Sequence, residues 1–239
     1  MARRETKPAG PRTLCIDVGG TGIKTMLVSA QGKPLGDRAR VDTPQPATRK
    51  AMADALRTIV PDPGSYDRIS VGFPGVVTNG VVRTAPNLDP SWAGFDLAGA
   101  IEKLTGKPTR VLNDAGVQGY GAIRGRGVEV CITLGTSMGF ALFVDGRYVP
   151  NIELGHHVFR KGKTYEDELG KKALARLGKK RWNKMLARAI AQIDRTFNYD
   201  TLYVGGGNAA NVTLELPPNV KRVENVSGLL GGVKLWERG

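Results

Sequence analysis

Cysteine and histidine are scarce in this chain, and no apolar run is long. Only two of the 239 residues are cysteines and only two are histidines. Cys15 and Cys131 lie in apolar, strand-like runs without a partner at metal-binding spacing, so we expect reduced core side chains in a reducing compartment. His156 and His157 have neither a third histidine nor a cysteine beside them, which argues against a metal site. No apolar run approaches the ~20 residues that a membrane span needs, so no membrane association is expected.

The first residues of the chain also contain no apolar stretch of the kind found in a secretory signal. Residues 1–11 form a polar, basic tail, which does not fit a secretory signal. We therefore expect a loose tail and a cytoplasmic protein. The length suits one large domain or two small lobes, and the apolar share of 41% indicates a globular chain.

Acidic residues are outnumbered by basic ones, 22 against 35, which gives a formal net charge of +13. Eleven of the basic residues fall between Arg160 and Arg188, against the acids Glu166, Asp167 and Glu168. Such a stretch indicates either a surface for polyanions (nucleic acid, polyphosphate or nucleotide) or a solvated helix face. The sequence has no helix-turn-helix, zinc finger or aromatic stacking ladder, so specific nucleic-acid recognition is not expected.

Glycine is abundant, with 32 residues, and the most informative glycines follow the first predicted strand. Leu14–Val18 is apolar apart from Asp17, and Gly19-Gly20-Thr21-Gly22 comes next. Glycine lets backbone N–H groups approach an anion, and threonine adds a hydroxyl. The segment therefore indicates a phosphate cradle with Asp17 facing a metal ion or a phosphate-bound water. The alternative is an ordinary tight hairpin with a surface aspartate. A strand rather than a helix follows the glycines, which excludes a dinucleotide fingerprint and a Walker loop.

The order of predicted elements is typical of a mixed α/β sheet. Strands are expected at Leu14–Val18, Ile23–Val28 and Pro34–Val41, followed by a helix from Pro46 and by strand Arg68–Phe73. Asp96 is expected to cap a further helix that Gly106 stops, and another strand is expected at Val128–Leu134.

The second half of the chain repeats the opening unit. A strand, a glycine-threonine turn and another strand recur at Thr133–Phe143. Helices are expected at Tyr165–Leu177 and Lys180–Phe197, the second with a core stripe that includes Trp182. A last helix is expected to open at Asn225.

Five segments taken together resemble the ROK family of sugar kinases, and most closely its polyphosphate/ATP glucokinase branch. They occur in the family's order and spacing between about Leu14 and Trp236. The segments are Asp17-Val18-Gly19-Gly20-Thr21-Gly22-Ile23-Lys24, Leu112-Asn113-Asp114, Thr133-Leu134-Gly135-Thr136, Glu153-Leu154-Gly155-His156 and Gly205-Gly206-Gly207-Asn208.

The resemblance implies the actin/hexokinase-like (ribonuclease H-like) fold, an α/β fold of two lobes around a cleft. The N-terminal lobe would be residues 12–112 and the C-terminal lobe residues 113–224. Residues 225–239 would form a C-terminal helix that crosses back to the N-terminal lobe.

The resemblance also implies two phosphate-binding hairpins and a segment near the adenosine when ATP is the donor. Mg²⁺ would accompany polyphosphate or ATP, held mostly by phosphate oxygens and waters and reached by Asp17 through water. For Lys24, the alternative is a solvated strand end. The phosphate-binding residues would be Asp17, Gly19, Gly20, Thr21, Lys24, Gly135, Thr136 and Ser137, and the nucleotide-binding residues Gly205, Gly206, Gly207 and Asn208.

By the same resemblance, Asp114 would be the catalytic base that accepts the proton of the sugar's primary hydroxyl. The alternative is a helix cap, a role that Asn113 can also fill. Glu153 and His156 lie three residues apart, so both can reach one pocket and offer an acceptor and a donor to sugar hydroxyls. The alternative for this pair is two surface residues on a loop. The sugar-binding residues would be Asn113, Asp114, Glu153, His156 and Glu166.

The chain departs from the family pattern at three places. Many members carry a cysteine-rich zinc motif after the histidine of the Glu-Leu-Gly-His segment, but residues 157–167 contain no cysteine, so no zinc site is expected. Ser137-Met138 replaces a more usual glycine at position 137, and the serine side chain would narrow the donor site. The repressor members have an N-terminal DNA-binding domain, for which the dozen residues before the first strand leave no room.

The function expected from this resemblance is a glucokinase-type sugar kinase. It would transfer a phosphoryl group from polyphosphate, ATP or both to the 6-hydroxyl of glucose, and the basic stretch favours polyphosphate. One alternative is an ATP-dependent kinase for another hexose, such as mannose, fructose or an amino sugar. Another is a non-catalytic sugar- or polyanion-binding protein on the same fold, and a nucleic-acid binder is a weaker option. A homodimer is expected only by analogy with the family.

Overall fold

The structure, a computed structural model, describes residues 10–223 and 227–238. The chain divides into two compact units. Unit 1 extends to Leu112 and includes Gly232–Glu237, and unit 2 takes in Asn113–Gly231. None of the helices in the described ranges combines the length and apolar character that a membrane crossing requires.

Unit 1 is built on a five-stranded sheet. Its strands are β1 Thr13–Val18, β2 Gly22–Val28, β3 Ala39–Asp42, β4 Arg68–Phe73 and β7 Thr109–Asn113, and β5 Val77–Thr78 pairs with β6 Val81–Val82 in a separate ribbon. The order in the sheet is β3-β2-β1-β4-β7. The first three strands form an antiparallel meander, and β4 runs parallel to β1.

Two helices accompany the sheet of unit 1, α1 Arg49–Arg57 and α2 Leu97–Thr105. The side chain of Asp96 caps α2 by accepting a hydrogen bond from the Gly99 amide, and Gly106 ends the helix with φ 66°. Both of these α2 boundaries are the predicted ones. The core of unit 1 combines the apolar side chains of β1, β2 and β4 with α1, α2 and the loop that carries Trp92.

Two predicted boundaries in unit 1 are wrong. The third strand was expected at Pro34–Val41, but β3 covers only Ala39–Asp42, and Pro34 makes an isolated bridge with Val28. Proline has no N–H to donate to a sheet ladder, which agrees with the position of Pro34 outside the strand. The first helix begins at Arg49 rather than Pro46, because Thr48 caps it by accepting from the Ala51 amide.

Unit 2 is built on a second five-stranded sheet. Its strands are β8 Val128–Leu134, β9 Met138–Val144, β10 Arg147–Val149, β13 Thr201–Gly205 and β14 Val220–Arg222, and β11 Val158–Arg160 pairs with β12 Lys163–Thr164 in a ribbon. The sheet order is β10-β9-β8-β13-β14. An antiparallel meander again comes first, and β13 then runs parallel to β8. The repeat predicted from the two glycine-threonine turns is therefore confirmed in the strand topology.

The helices of unit 2 are α3 Asp114–Ala122, α4 Tyr165–Leu169 and α5 Lys171–Phe197. The prediction of one helix over Tyr165–Leu177 is wrong, because Gly170 is extended, with φ −68° and ψ 173°, and separates α4 from α5. Inside α5, Gly178 is non-helical, with φ 72° and ψ 158°, at the predicted break between the two helical stretches. The stripe predicted as core is buried, and Trp182 donates from Nε1 to the Leu169 carbonyl at 2.9 Å.

The last helix, α6, is Ser227–Arg238, and its predicted start at Asn225 lies outside the described residues. In unit 1, the Ser70 hydroxyl donates to the Gly232 carbonyl at 2.6 Å and accepts from Trp236 Nε1 at 2.8 Å. The guanidinium groups of Arg68 and Arg110 lie 5.1 and 4.7 Å from the centre of the Trp236 ring. These contacts hold residues 232–237 of the helix to unit 1.

Both cysteines are free and buried, as predicted. Burial raises the pKa of the Cys15 thiol and that of the Cys131 thiol to about 12. Since the thiolate is the reactive form, both side chains act as small apolar core groups.

Candidate active site

The glycine-rich turn of unit 1 joins β1 to β2. Its closing hydrogen bond runs from the Gly19 amide to the Gly22 carbonyl at 3.1 Å. Thr43, just after β3, donates from its hydroxyl to the Gly19 carbonyl at 2.5 Å. The turn is thus held by its own hydrogen bond and by Thr43, while Thr21 at its apex is exposed.

Asp17 and Lys24 face each other across the same hairpin. They are a directly opposed pair in the β1–β2 register, and Lys24 Nζ lies 2.7 Å from Asp17 Oδ2. The carboxylate therefore has a cationic partner within the hairpin, which offsets the cost of its partial burial. The side chains are 22% and 30% exposed, so both polar groups reach solvent beside the glycine turn.

The magnesium ion that the resemblance implies fits these residues only as an ion held mainly by the donor. Among the residues described, no group of three or more His, Cys, Asp or Glu could hold a metal ion. Asp17 already binds Lys24. Mg²⁺ typically keeps several waters and combines substrate phosphates with one or two carboxylates, so Asp17 is suited to an indirect contact.

The second glycine-threonine turn, 135–137, joins β8 to β9 in unit 2. The Gly135 amide donates to the Ser137 carbonyl at 3.0 Å, while the Thr136 side chain is exposed. The Gly135 carbonyl accepts from Asn208 Nδ2 at 3.0 Å and from the Lys171 amide at 2.9 Å. Two elements distant in sequence therefore hold this turn in place.

The predicted nucleotide-binding segment supports the second turn directly. A 3₁₀ helix spans Gly207–Asn211 after β13. Gly206 has φ 87°, and a side chain there would collide with the backbone of Leu134. Only glycine allows this close approach, which brings Asn208 within reach of the turn. Gly207 is exposed beside it.

Asn113 and Asp114 lie where β7 passes into α3. Asn113 Oδ1 accepts from the Ala115 amide at 3.0 Å and the Gly116 amide at 3.3 Å, so Asn113 is the N-cap. Asp114 is the first helical residue, partly exposed, and its Oδ1 accepts from the Ala115 amide at 2.8 Å. The N-terminal end of the helix favours the charged carboxylate. Since Asn113 fills the capping role, capping alone does not account for Asp114.

Glu153 and His156 lie at either end of the short turn that follows β10. His156 Nε2 is 3.6 Å from Glu153 Oε2, and the two side chains are 46% and 35% exposed. Burial raises the pKa of Glu153; His156 opposes this shift, and the nearby carboxylate of Glu166 adds to it. Glu166, on α4, therefore belongs to the same electrostatic neighbourhood. The carboxylates of Glu153 and Glu166 as acceptors and the ring N–H of His156 as donor can together bind neighbouring hydroxyl groups.

Tyr148 on β10 is a member of this neighbourhood that sequence reasoning missed. The pKa of its hydroxyl is raised to about 12, chiefly by burial, with smaller contributions from the carboxylates of Glu153 and Asp114. The tyrosine is thus a neutral donor near both predicted acids. Its only sequence signal was its position after the Asp145-Gly146 turn, which carries no motif.

Close contacts within unit 2 bring the predicted segments together around the β8–β9 turn. A side chain on Gly155 would overlap the Met138 carbonyl, and one on Gly170 would approach the Thr136 carbonyl to 2.8 Å. One on Gly139 would lie 2.9 Å from Ala115 Cβ. The starts of α3 and α5 and the Glu153–His156 turn therefore converge on one hairpin. The Asp17–Lys24 group belongs to unit 1.

Comparison with known proteins places this arrangement in one family. The ROK family model matches residues 13–161. A polyphosphate glucokinase from Mycobacterium tuberculosis (strain ATCC 25618 / H37Rv) is 35% identical over 237 residues, covering 90% of this chain and 88% of that protein.

Solved structures give the same result. An inorganic polyphosphate/ATP-glucomannokinase from Arthrobacter sp. strain KM has a TM-score of 0.84 and 32% identity, covering 95% of this chain and 98% of that one. A ROK family glucokinase from Streptomyces griseus, in complex with glucose and AMPPNP, has a TM-score of 0.76 at 21% identity, covering 94% and 98%, and bears on the fold alone. The predicted actin/hexokinase-like fold is thereby confirmed. The chain belongs to the ROK family.

Proposed function

We propose that this protein is a glucokinase-type sugar kinase. It transfers a phosphoryl group from polyphosphate, ATP or both to the 6-hydroxyl of glucose. The identity of 35% over 90% of the chain to a polyphosphate glucokinase supports this assignment. The structural observation that carries it lies at the start of α3. Asn113 is the N-cap of this helix, and Asp114 next to it has a partly exposed carboxylate.

Asp114 is the proposed general base. Phosphoryl transfer needs a positioned hydroxyl, a neutralised phosphate chain and a group that accepts the hydroxyl proton. A carboxylate at the first position of a helix stays ionised, because the helix N-terminus stabilises negative charge. It can therefore take the proton of the 6-hydroxyl as that oxygen attacks the terminal phosphorus of the donor, while the bond from this phosphorus to the bridging oxygen breaks and releases ADP or the shortened polyphosphate.

The polar groups around Glu153 bind the sugar. Glu153 and Glu166 accept hydrogen bonds from sugar hydroxyls, and Asn113 and His156 offer further polar groups. We add Tyr148 to this set, because its neutral hydroxyl lies in the field of both Glu153 and Asp114. A pocket of this kind rejects analogues that lack a hydroxyl, since a partly buried polar group would be left unpaired.

The donor is assigned to the two glycine-threonine turns. Their backbone amides and the hydroxyls of Thr21 and Thr136 suit phosphate oxygens, and Lys24 adds positive charge. Mg²⁺, when bound, would neutralise charge on the donor phosphates. Gly205, Gly206, Gly207 and Asn208 remain the predicted nucleotide-binding residues, and their contact with the Gly135 turn supports a role at the donor. A cytoplasmic location and a homodimer remain predictions.

A second acceptor, mannose, is favoured by one comparison. The Arthrobacter structure is that of a glucomannokinase, and its chain is 32% identical to this one. Mannose differs from glucose in the orientation of a single hydroxyl, so the same 6-hydroxyl chemistry would apply.

A coupled assay of hexose 6-phosphate formation tests the proposal. Glucose and mannose are each supplied with long-chain polyphosphate or with ATP, in the presence of Mg²⁺. We expect product from glucose with at least one donor and slower product from mannose. No product from either sugar with either donor, in a protein that still binds glucose by calorimetry, would instead identify a non-catalytic sugar-binding protein.

A further inference from the structure

Helix α5 presents an exposed face of one charge sign. Between Lys171 and Ile193 the chain has eight basic residues and no acid. Seven of the eight are exposed and form no ion pair with a carboxylate within the described ranges. They are Lys171, Lys172, Lys179, Lys180, Arg181, Lys184 and Arg188.

This face differs from an ordinary solubilising helix surface. Solubilising surfaces intersperse both signs of charge, and like charges four residues apart destabilise a helix. Lys180, Lys184 and Arg188 follow one another at that spacing. The eighth basic residue, Arg176, turns to the buried carboxylate of Glu168 instead, at 3.3 Å. The remaining charge is therefore concentrated rather than neutralised.

A groove runs beside this charge. It encloses about 460 Å³ and is lined by Lys179, Lys180 and Lys184 on α5 and by Thr213 and Leu214 on the facing loop. The buried side chain of Asn183 joins the two walls, donating to the Asn211 carbonyl at 2.9 Å and accepting from the Thr213 amide at 2.8 Å. The groove is thus a fixed feature of unit 2.

Both walls of the groove are connected to the Gly135 turn, which is the proposed donor turn. The first residue of α5, Lys171, donates its amide to the Gly135 carbonyl, and Asn208, just before the facing loop, donates to the same oxygen. The non-helical Gly178 divides this part of α5 into two helical stretches, residues 171–177 and 179–184, which rise about 9 and 8 Å at 1.5 Å per residue. Basic residues that form no ion pair in the described part of the chain therefore occur on both stretches, at the end next to the proposed donor turn and at the groove.

We propose that the α5 groove holds the distal part of a long polyphosphate chain whose end reacts at the Gly135 turn. This inference rests on the proposed function and adds a second contact region for the donor. Lysine ammonium groups suit it, because they bind phosphates as mobile point charges without requiring one fixed geometry. Donors of three phosphates, ATP included, are expected to engage the turn alone.

The test compares two double variants with the same change in charge. Lys180→Gln/Lys184→Gln neutralises the groove, and Lys33→Gln/Lys103→Gln neutralises two exposed lysines of unit 1. The measured quantity is the ratio of KM for long-chain polyphosphate to KM for the shortest donor that the parent enzyme accepts. We expect the ratio to rise about tenfold in the groove variant and to stay at the parental value in the control. The dependence of log KM on log salt for the long chain should also become shallower by about one to two units, since two charges are removed.

Three results would overturn the proposal. The first is an unchanged ratio in the groove variant, and the second is an equal rise in KM for short and long donors, which would place the lysines at the donor turn. The third is preferential binding of single-stranded DNA over polyphosphate of equal charge at physiological salt. Anisotropy of labelled polyphosphate measures groove binding without turnover, so a parent protein that makes no product would reject the proposed function separately from this inference.

Discussion

Asp114 is the residue on which the proposed chemistry depends. We expect Asp114→Asn to lower kcat by about 10²–10⁴-fold, because a general base contributes on that order. Glucose affinity should stay within a few-fold of the parent, since the amide keeps the shape and the contact with the helix. Stopped assays give kcat, and calorimetry gives the glucose Kd.

Asp37→Asn is the matched control, because Asp37 is an exposed aspartate of unit 1. Its kcat should equal that of the parent. Near-parental kcat in Asp114→Asn would remove Asp114 as the base, and joint loss of kcat and glucose binding would make it a sugar-binding residue only.

Glu153 has a charge that is poorly solvated in the folded protein. Burial raises its pKa above the ordinary value of 4.5, despite the opposing His156. A carboxyl group with a raised folded-state pKa favours folding below its ordinary pKa, and this contribution is lost as the pH rises through the raised value. Glu153→Gln should therefore raise Tm at pH 8, with a gain that shrinks toward pH 4.

The same substitution should impair function. Loss of a hydrogen bond to a charged group weakens binding by about 1.5–3 kcal/mol, so KM for glucose should rise roughly 10- to 100-fold. Melting curves across pH and steady-state kinetics measure the two effects. A lower Tm at pH 8 would mean that Glu153 is stabilised by its partners rather than strained by burial.

Tyr66 places a hydroxyl group in the core of unit 1. The residue is 0% exposed, and its hydroxyl oxygen has no hydrogen-bond partner within the described residues. An unpartnered buried polar group costs about 1–3 kcal/mol. We expect Tyr66→Phe to stabilise the protein by about 1 kcal/mol in urea unfolding, with kinetics at the parental value. Destabilisation of that size would show that the hydroxyl has a partner in solution.

The short helix α4 is held by a buried charge cluster. Glu168 is 4% exposed, and its carboxylate lies 3.6 Å from Arg160, 3.4 Å from Lys163 and 3.3 Å from Arg176. These cations come from the β11–β12 ribbon and from α5, so the cluster ties three elements together. The cluster therefore crosslinks the β11–β12 ribbon, α4 and α5.

Glu168→Gln should therefore act at the scale of the element. Removing the central carboxylate leaves three cations facing one another, and we expect a loss of about 2–3 kcal/mol, limited because the cations reach water. KM for glucose should rise as well, because α4 carries Glu166. Glu215→Gln, at an exposed glutamate, should change neither quantity. Urea unfolding and glucose kinetics are the measurements, and unchanged values for both would reduce the cluster to a surface ion pair.

Elements were predictable from sequence where local pattern decides them. β4 and β8 have the predicted bounds, and the cap of α2 at Asp96 is the predicted one, because apolar runs and capping residues are local signals. The division between α4 and α5 was not predictable. It coincides with a contact to a residue distant in sequence, the close approach of Gly170 to the Thr136 carbonyl.

At the scale of the whole molecule, the repeated glycine-threonine hairpin was the most informative pattern. It predicted a strand, turn and strand in each half of the chain, and the sheet of each unit opens with that hairpin. The candidate site was harder to predict from the sequence, because its residues come together only through tertiary contacts. Tyr148 carries no motif, and the support of the Gly135 turn by Lys171 and Asn208 joins positions 36 and 73 residues apart.

The net charge of +13 predicts how the whole protein responds to salt and polyanions. Self-repulsion of a strongly charged chain destabilises the compact state, and added salt screens it over about 10 Å at 0.1 M. We expect Tm to rise by a few degrees between low salt and 0.2 M NaCl. At low salt, long-chain polyphosphate should raise Tm further than orthophosphate at equal phosphate concentration, because one chain contacts several cations that the folded surface holds close together, and a ligand that prefers the folded state raises its stability. The polyphosphate effect should fade as salt increases, since released counterions drive the binding. A Tm that falls with NaCl, or an equal effect of orthophosphate, would show that the basic surface does not act as a polyanion-binding surface.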